Sequence, residues 1–320
     1  FGIADIFVPV DNNSRNFCQR SFEDFGIPEE HIITIPEGEH HKSLESVAEI
    51  WQVLSDQGAR RNAVLVNVGG GVITDLGGFA ASCFKRGIHC VNIPTTLLAQ
   101  IDASVGGKTG FDFNGLKNEI GAFQESRAVI IDTEFLRTLD EQNLRSGYAE
   151  MLKHALLADE EHVAEAMQVD FAGVAEEDFL KLIRKSVAVK AAIVQSDPRE
   201  KGLRKALNFG HTVGHAFELA GHYETWTHGQ AVAAGMFTAA QLGFGAEAPG
   251  SAGLIDPLEF QKLRLLQTLG SLGEDGAVQI VVGEHGQAHH LPAQGLEIAL
   301  PHFRLAAQLG ELIALRTEVL

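Results

Sequence analysis

Ala63-Val64-Leu65-Val66-Asn67-Val68-Gly69-Gly70-Gly71-Val72-Ile73-Thr74-Asp75 is the stretch that decides the fold. Its apolar, β-branched start reads as a strand buried on both faces, and three glycines then turn the chain into a helix expected over Leu76–Phe84. Backbone amides at such a junction suit a pyrophosphate, and the helix N-terminus adds a favourable dipole. Thr74 stands where the ordinary G-x-G-x-x-G fingerprint has its third glycine. The alternatives are a modified phosphate-binding turn and a plain tight turn, and three glycines directly after a strand favour the former.

Outward from this junction the pattern repeats. Ile3–Val10, Ile32–Ile35, His89–Ile93 and Ala128–Ile131 read as further strands. Ser43–Gln57, with Leu44, Val47, Ile50, Trp51 and Leu54 at helical spacing, and Leu97–Ser104 read as helices. Strand-helix alternation predicts a doubly wound parallel sheet, an α/β domain over residues 1–138. From residue 139 to 320 the pattern turns mainly helical, with helices expected over Leu144–Leu157, His162–Met167, Phe179–Gln195, Leu207–Leu219 and Ala231–Leu242. Gly245–Gly250 reads as a loop, and no strand is expected in this second domain before Val278–Val282.

Composition narrows the function classes. A chain of 320 residues exceeds one typical core, which fits two domains. A formal net charge of −17 argues against nucleic acid and anionic membrane as partners, while a local cationic cluster can still bind an anionic small molecule. Three cysteines without C-x-x-C spacing suggest a reducing compartment. With no leader pattern and no run of about 20 apolar residues, the expectation is a cytoplasmic protein.

The chemistry-bearing residues sit in glycine-rich surroundings. Asn208-Phe209-Gly210-His211-Thr212-Val213-Gly214-His215 is followed by Thr227-His228-Gly229, and small residues let a ligand or second helix come close. His211 and His215 share one helix face by spacing, and Glu150-x-x-Lys153-His154 supplies a carboxylate and an ammonium. Two histidines, one carboxylate and an open position compose a catalytic zinc site. Taken alone, Lys153 reads as the surface ion-pair partner of Glu150, and His154 as structural or surface. Gly106-Gly107-Lys108-Thr109 looks like a P-loop tail, but Asp102 replaces the first glycine, so a Walker loop is rejected. Lys108, Lys117 and Asn118, with Asp102 and Arg86, offer either an anion site or solvated loop cations. Lys190 and Arg204 lie in a charged stretch that reads mostly as a solvated face.

Taken together, nine ordered segments between Asp11 and Met236 resemble the 3-dehydroquinate synthase family of sugar-phosphate cyclases. They are Pro36-Glu37-Gly38-Glu39-x-x-Lys42, Gly69-Gly70-Gly71-Val72-x-x-Asp75, Arg86-Gly87, Pro94-Thr95-Thr96-Leu97-Leu98-Ala99, Asp102-x-Ser104-Val105-Gly106-Gly107-Lys108-Thr109, Lys117-Asn118-x-Ile120-Gly121, Tyr148-Ala149-Glu150-x-x-Lys153, the histidine motif and His228-Gly229. The resemblance implies an N-terminal Rossmann-like domain, a helical C-terminal domain and an active site in the cleft between them. It implies NAD and one divalent metal, zinc or cobalt, held by Glu150, His211 and His228, so that His215 faces substrate instead. NAD contacts are implied at Asp11, Asn13, Glu39, Lys42, Gly70, Gly71, Val72, Asp75, Thr95, Thr96, Leu98, Lys108, Lys117, Thr138 and Leu139. Substrate and catalytic roles are implied at Arg86, Asp102, Lys108, Lys117, Asn118, Lys153, Lys190, Arg204, Asn208 and His215. The implied reaction converts 3-deoxy-D-arabino-heptulosonate 7-phosphate to 3-dehydroquinate and phosphate. It runs by transient oxidation with NAD, β-elimination of phosphate, re-reduction and aldol cyclisation. A homodimer is also implied.

One departure stands out. Family members carry a lysine-rich segment in the C-terminal third, whereas this chain has only Lys262 after His228 and an acidic Leu272-Gly273-Glu274-Asp275-Gly276. No substrate contact is assigned there. The competing readings are a sibling cyclase acting on another sugar phosphate, a metal-dependent polyol dehydrogenase and a binding protein that kept the pocket.

Overall fold

The computed structural model describes residues 2–169, 171, 177–221 and 225–245. The strand expected at Val278–Val282, Lys262 and all but the first residue of the Gly245–Gly250 loop lie outside them. Two compact units are distinguished, Phe1–Ala233 and Ala234–Leu320, and the candidate site belongs wholly to the first. No helix among the described residues is long and apolar enough to cross a membrane.

Five strands form one parallel sheet in the order β2-β1-β3-β4-β7: β1 (Ile6–Asp11), β2 (Ile32–Ile35), β3 (Val64–Gly69), β4 (His89–Pro94) and β7 (Ala128–Val129). Both faces are covered. Phe7, Ile33, Ile35 and Leu65 pack with the helices α2 (Leu44–Asp56) and α3 (Gly71–Cys83), while Val8, Val10, Ile32 and Val68 pack with Cys18 and Phe22 of α1 (Asn12–Asp24). Adjacent residues point to opposite faces, and both are apolar, which is why the strands read as continuous runs. The chain goes from β1 outward to β2, then returns to β3 on the other side of β1. That reversal leaves a crevice at the carboxyl ends of β1 and β3, where open α/β sheets bind ligands.

Several elements differ from expectation. Ile3–Asp5 is a 3-10 turn, and β1 starts at Ile6. Helix α1 has no strong apolar stripe, but Asp11 caps it by accepting from the Ser14 amide at 2.7 Å, and Cys18 and Phe22 anchor one face. The region around Lys108 and Lys117 is an antiparallel hairpin, β5 (Lys108–Phe113) and β6 (Leu116–Phe123). Asn114 and Gly115 close it with φ of 51° and 77°, the left-handed pair that a two-residue hairpin turn requires. Ala99–Ala103 winds as a π-helix, the Ser104 amide donating to Ala99 O at 3.1 Å, and Asp102 lies within that turn.

Beyond the sheet the chain is helical: α4 (Glu141–Ala158), α5 (Glu160–Ala166), α6 (Glu177–Ser196), α7 (His211–Ala220) and α8 (His228–Gly245). The helix expected over Leu207–Leu219 is split. Leu203–Asn208 is a 3-10 stretch, and Gly210 at φ 82° stops it so that α7 begins at His211.

The three thiols sit in different surroundings. Burial, with the charge of Asp11 adding to it, pushes the Cys18 thiol up to about 11, and burial alone does the same for Cys90, while Cys83 is exposed. The thiolate is the reactive form, so at pH 8 an alkylating reagent should modify Cys83 alone in the folded protein and all three after denaturation. Mass spectrometry checks this, and rapid native labelling of Cys18 or Cys90 would contradict the packing described.

Candidate active site

A cleft of about 1270 Å³ opens at the carboxyl ends of the strands. That exceeds the roughly 300–1,000 Å³ of a typical small-molecule pocket. Every site candidate named from the sequence lines it except Glu150, buried directly behind, and Arg86. Arg86 is exposed at the end of a 3-10 turn (Phe84–Arg86) after α3, with its backbone left-handed at φ 69°, and this chain does not bring it to the cleft.

The sheet side is organised around Lys42, which is 5% exposed. Its ammonium donates to Asp75 Oδ2 and Asn118 Oδ1, each at 2.6 Å, tying α3 and β6 to the loop before α2. Burial would lower the Lys42 pKa, but Asp75 and Glu39 outweigh it and hold the ammonium above its usual range. Gly70 and Gly71 present the N-terminus of α3 to the same space.

The helical side supplies a ligand cluster. Glu150 on α4 is fully buried, and neither carboxylate oxygen has a hydrogen-bond partner of good geometry, although Lys153 forms an ion pair with Oε2. Lys153 itself is 1% exposed, which corrects the surface ion-pair reading of that residue. Its neighbour His154 is buried and structural, Nδ1 lying 2.7 Å from Ser186 Oγ.

His228 Nε2 lies 3.4 Å and His211 Nε2 3.8 Å from Glu150 Oε1. Ligand atoms about 2.0–2.2 Å from a tetrahedral zinc stand roughly 3.4 Å apart, so the donors fit one divalent ion with little movement. The orphaned Oε1 supports the same fit. Burial first, and then the Lys153 charge, push His211 down to about 4, which leaves it neutral and able to ligate at neutral pH. Burial opposes charge on His228, but Glu150 and Glu218 on either side push it up to about 9.

Glycines make this convergence possible. A Cβ on Gly229 would come within 2.1 Å of the Ser146 carbonyl on α4, and one on Gly214 within 2.9 Å of the Ala231 carbonyl on α8. Close approach at these two positions sets His211 and His228 over Glu150. The pairing of His211 with His215 by spacing gives way to this arrangement: His215 is half-exposed in the cleft, its ring 5.3 Å from that of His211.

Cations crowd the remaining wall. Lys190 bonds Asp102, whose carboxyl is held well below its usual range by Lys190 and His154 despite burial. Arg204 donates to Pro198 O at 2.7 Å and Gly106 O at 2.8 Å. Lys190 is buried, as is Arg204, at 7% and 3% exposure, which corrects the solvated-face reading of these two. Burial, then repulsion from Arg204, Lys190 and Lys153, lowers the Lys108 pKa.

Two residues escaped sequence reasoning. Glu200, at φ 55°, pairs with Lys108 and Asn208 in the cleft wall. Glu218 on α7 is 1% exposed and contacts Lys117 and His228. Its position seven residues after His211, on the same face, was the signal available for it. His215, Glu218 and His228 form a second possible donor group, but Glu218 Oε1 already accepts from Lys117 at 3.0 Å.

The comparisons with known proteins agree with this architecture. A family profile described as 3-dehydroquinate synthase N-terminal matches residues 32–146, and one described as 3-dehydroquinate synthase C-terminal matches 147–262. The 3-dehydroquinate synthase of Parabacteroides distasonis is 50% identical over 234 residues, 72% of this chain and 66% of that protein. The one from Nitratiruptor sp. is 48% identical over 216 residues, 67% of this chain and 61% of that protein. The chain thus spans less than two thirds of the length of these relatives. Among solved structures, 2-epi-5-epi-valiolone synthase from Streptomyces hygroscopicus, with NAD+ and Zn2+ bound, superimposes with a TM-score of 0.67 at 27% identity, covering 97% of this chain and 91% of that one. A 2-deoxy-scyllo-inosose synthase complexed with carbaglucose-6-phosphate, NAD+ and Co2+ gives 0.68 at 26% identity, covering 76% and 69%.

His211→Ala tests the ligand cluster. Elemental analysis of zinc-loaded, dialysed protein should show stoichiometry falling from about one ion per chain to near zero. The melting temperature of the metal-free variant should stay close to that of the metal-free parent. Retained stoichiometry would contradict the cluster.

Proposed function

This chain belongs to the 3-dehydroquinate synthase family, and on that premise we propose that the protein converts 3-deoxy-D-arabino-heptulosonate 7-phosphate to 3-dehydroquinate and phosphate in the described cleft. The observation that carries the reading is the convergence of Lys108, Lys153, Lys190 and Arg204 on the cleft wall beside the Glu150, His211 and His228 cluster. Four cationic side chains in one wall suit an anionic ligand, and this substrate brings a phosphate and a carboxylate. A neutral polyol would make no use of such a set. Identity of 50% with a named synthase, against 26–27% with the two solved sibling cyclases, favours this substrate over another sugar phosphate.

Under this reading the cofactors are NAD and one divalent metal, zinc or cobalt. When bound, they supply a reversible hydride acceptor and a Lewis acid for a substrate oxygen. The chain's own residues do the rest. Gly70 and Gly71 place amides at the dinucleotide pyrophosphate, and Lys42 fixes Asp75 against the same ligand. Asp11, Asn13, Glu39, Val72, Thr95, Thr96, Leu98, Lys117, Thr138 and Leu139 line the rest of that subsite. Lys108, Lys190 and Arg204 hold substrate anions by charge-assisted hydrogen bonds, and Asn208 and Asn118 add neutral polar contacts. Lys153 sits against the Glu150 carboxylate at the reacting end, and half-exposed His215 can move a proton within the substrate hydroxyl network. Asp102 orients Lys190. Arg86 does not line the cleft, and no role is assigned to it. The same reading assigns residues 1–138 to the cofactor, residues 139–320 to metal and substrate, the cytoplasm as location and a homodimer as assembly.

The test is turnover. With NAD, zinc and the seven-carbon keto acid phosphate, inorganic phosphate should appear in step with substrate loss, and absorbance from NADH should not accumulate. Absence of phosphate release would overturn the proposal, and net NADH from a neutral polyol would replace it with a dehydrogenase.

A further inference from the structure

Glu218 is a buried carboxylate directly behind His228 that no ligand, substrate or cofactor role so far explains. It lies on α7, is 1% exposed, and sits 3.3 Å from His228 Nδ1 through Oε1. The same oxygen accepts from Lys117 Nζ at 3.0 Å, and Lys117 in turn reaches Glu39 Oε1 at 3.3 Å. Glu218 Oε2 is buried with no hydrogen-bond partner and lies 3.8 Å from His215 Nε2. Burying an ionised carboxylate costs several kcal/mol in round terms unless it is paired, so a buried Glu between a lysine and a histidine needs a reason.

The two nitrogens of His228 face in different directions. Nε2 is aimed at Glu150 Oε1, 3.4 Å away, and Nδ1 at Glu218. A neutral imidazole has one donor and one acceptor nitrogen, and the hydrogen bond at one decides which lone pair the other presents. We propose that Glu218 is a positioning residue for metal binding: it accepts the Nδ1 proton of His228 and thereby presents the Nε2 lone pair beside Glu150 and His211. Lys117 holds the Glu218 carboxylate in place, so the β5–β6 hairpin that borders the cofactor side of the cleft also braces a metal ligand. The carboxylate acts through His228 and does not itself touch the ion. This inference rests on Glu150, His211 and His228 being the ligands.

The test uses the full chain, stripped of metal and titrated with zinc against a chelator, and with cobalt followed by its visible spectrum. Glu218→Gln keeps the shape and loses the charge. It should still bind one ion per chain with the parental cobalt spectrum, but about 10–100-fold more weakly, the range seen when a partner behind a metal-bound histidine is removed. Glu218→Ala should weaken binding at least as much. An unchanged affinity in both variants overturns the proposal. Loss of the ion from Glu218→Gln, with an altered cobalt spectrum in Glu218→Ala, also overturns it and makes Glu218 a direct ligand with His215 and His228. Glu150→Gln separates the two levels of the argument: if it binds zinc as tightly as the parent, the ligand reading fails, whatever Glu218 does. A further readout needs no variant. In ring-labelled, zinc-loaded parent protein, long-range proton–nitrogen spectra should show His228 protonated at Nδ1, and a proton at Nε2 would refute the role.

Discussion

A fully buried carboxylate is the constraint around which the site is built. Glu150 is wholly inaccessible, and neither oxygen has a hydrogen bond of good geometry, only the Lys153 ion pair and two nearby imidazoles. Such a group is stable only among positive charge, because an ionised carboxylate alone in a low-dielectric interior costs far more than a fold can spare. Everything nearby answers to that need. Lys153 comes from one helical turn further along α4, His211 is the first residue of α7, and His228 is the first of α8. Gly214 and Gly229 permit the helix approach that delivers the two rings, and Gly210 stops the preceding 3-10 stretch so that α7 can begin at His211.

The parallel sheet solves a different problem with the same economy. Its strand order places the ends of β1 and β3 on either side of a crevice, and the three glycines after β3 open α3 into it. Lys42, Asp75 and Asn118 cross-link the loop before α2, the glycine-opened helix and the hairpin. Through Lys117 the hairpin reaches Glu218 and hence His228. The glycine-opened wall and the cluster of Glu150, His211 and His228 are therefore parts of one polar network. Single substitutions in such a network are expected to couple and not to add.

Much of this was legible in the sequence. Continuous apolar strands separated by amphipathic stretches gave the sheet, because a sheet covered on both faces leaves no polar alternation to blur the pattern. The helices after Leu139 followed from spacing. The ordered motifs brought to one cleft nearly every residue they implied, with Arg86 left outside. What was not legible has physical reasons. Helix α1 is specified by the Asp11 cap and two buried side chains, too little for a periodicity to register. The hairpin was announced only by Asn114-Gly115. Lys190 and Arg204 looked like surface charge because their partners, Asp102 and the Gly106 carbonyl, come from distant segments, and Lys153 did so because its pairing with Glu150 on the same helix is visible in the sequence while the packing that buries both is not. His228 could not be chosen over His215 from helical spacing, since it is the close packing of α8 on α4, at Gly229, that decides.

The central claim is that one ion fills the space between Glu150, His211 and His228. Anomalous diffraction at the zinc absorption edge, on crystals of the zinc-loaded protein, tests it directly. The account predicts a single strong peak about 2.0–2.2 Å from Glu150 Oε1, His211 Nε2 and His228 Nε2. A peak among His215, Glu218 and His228, or none near Glu150, would contradict it.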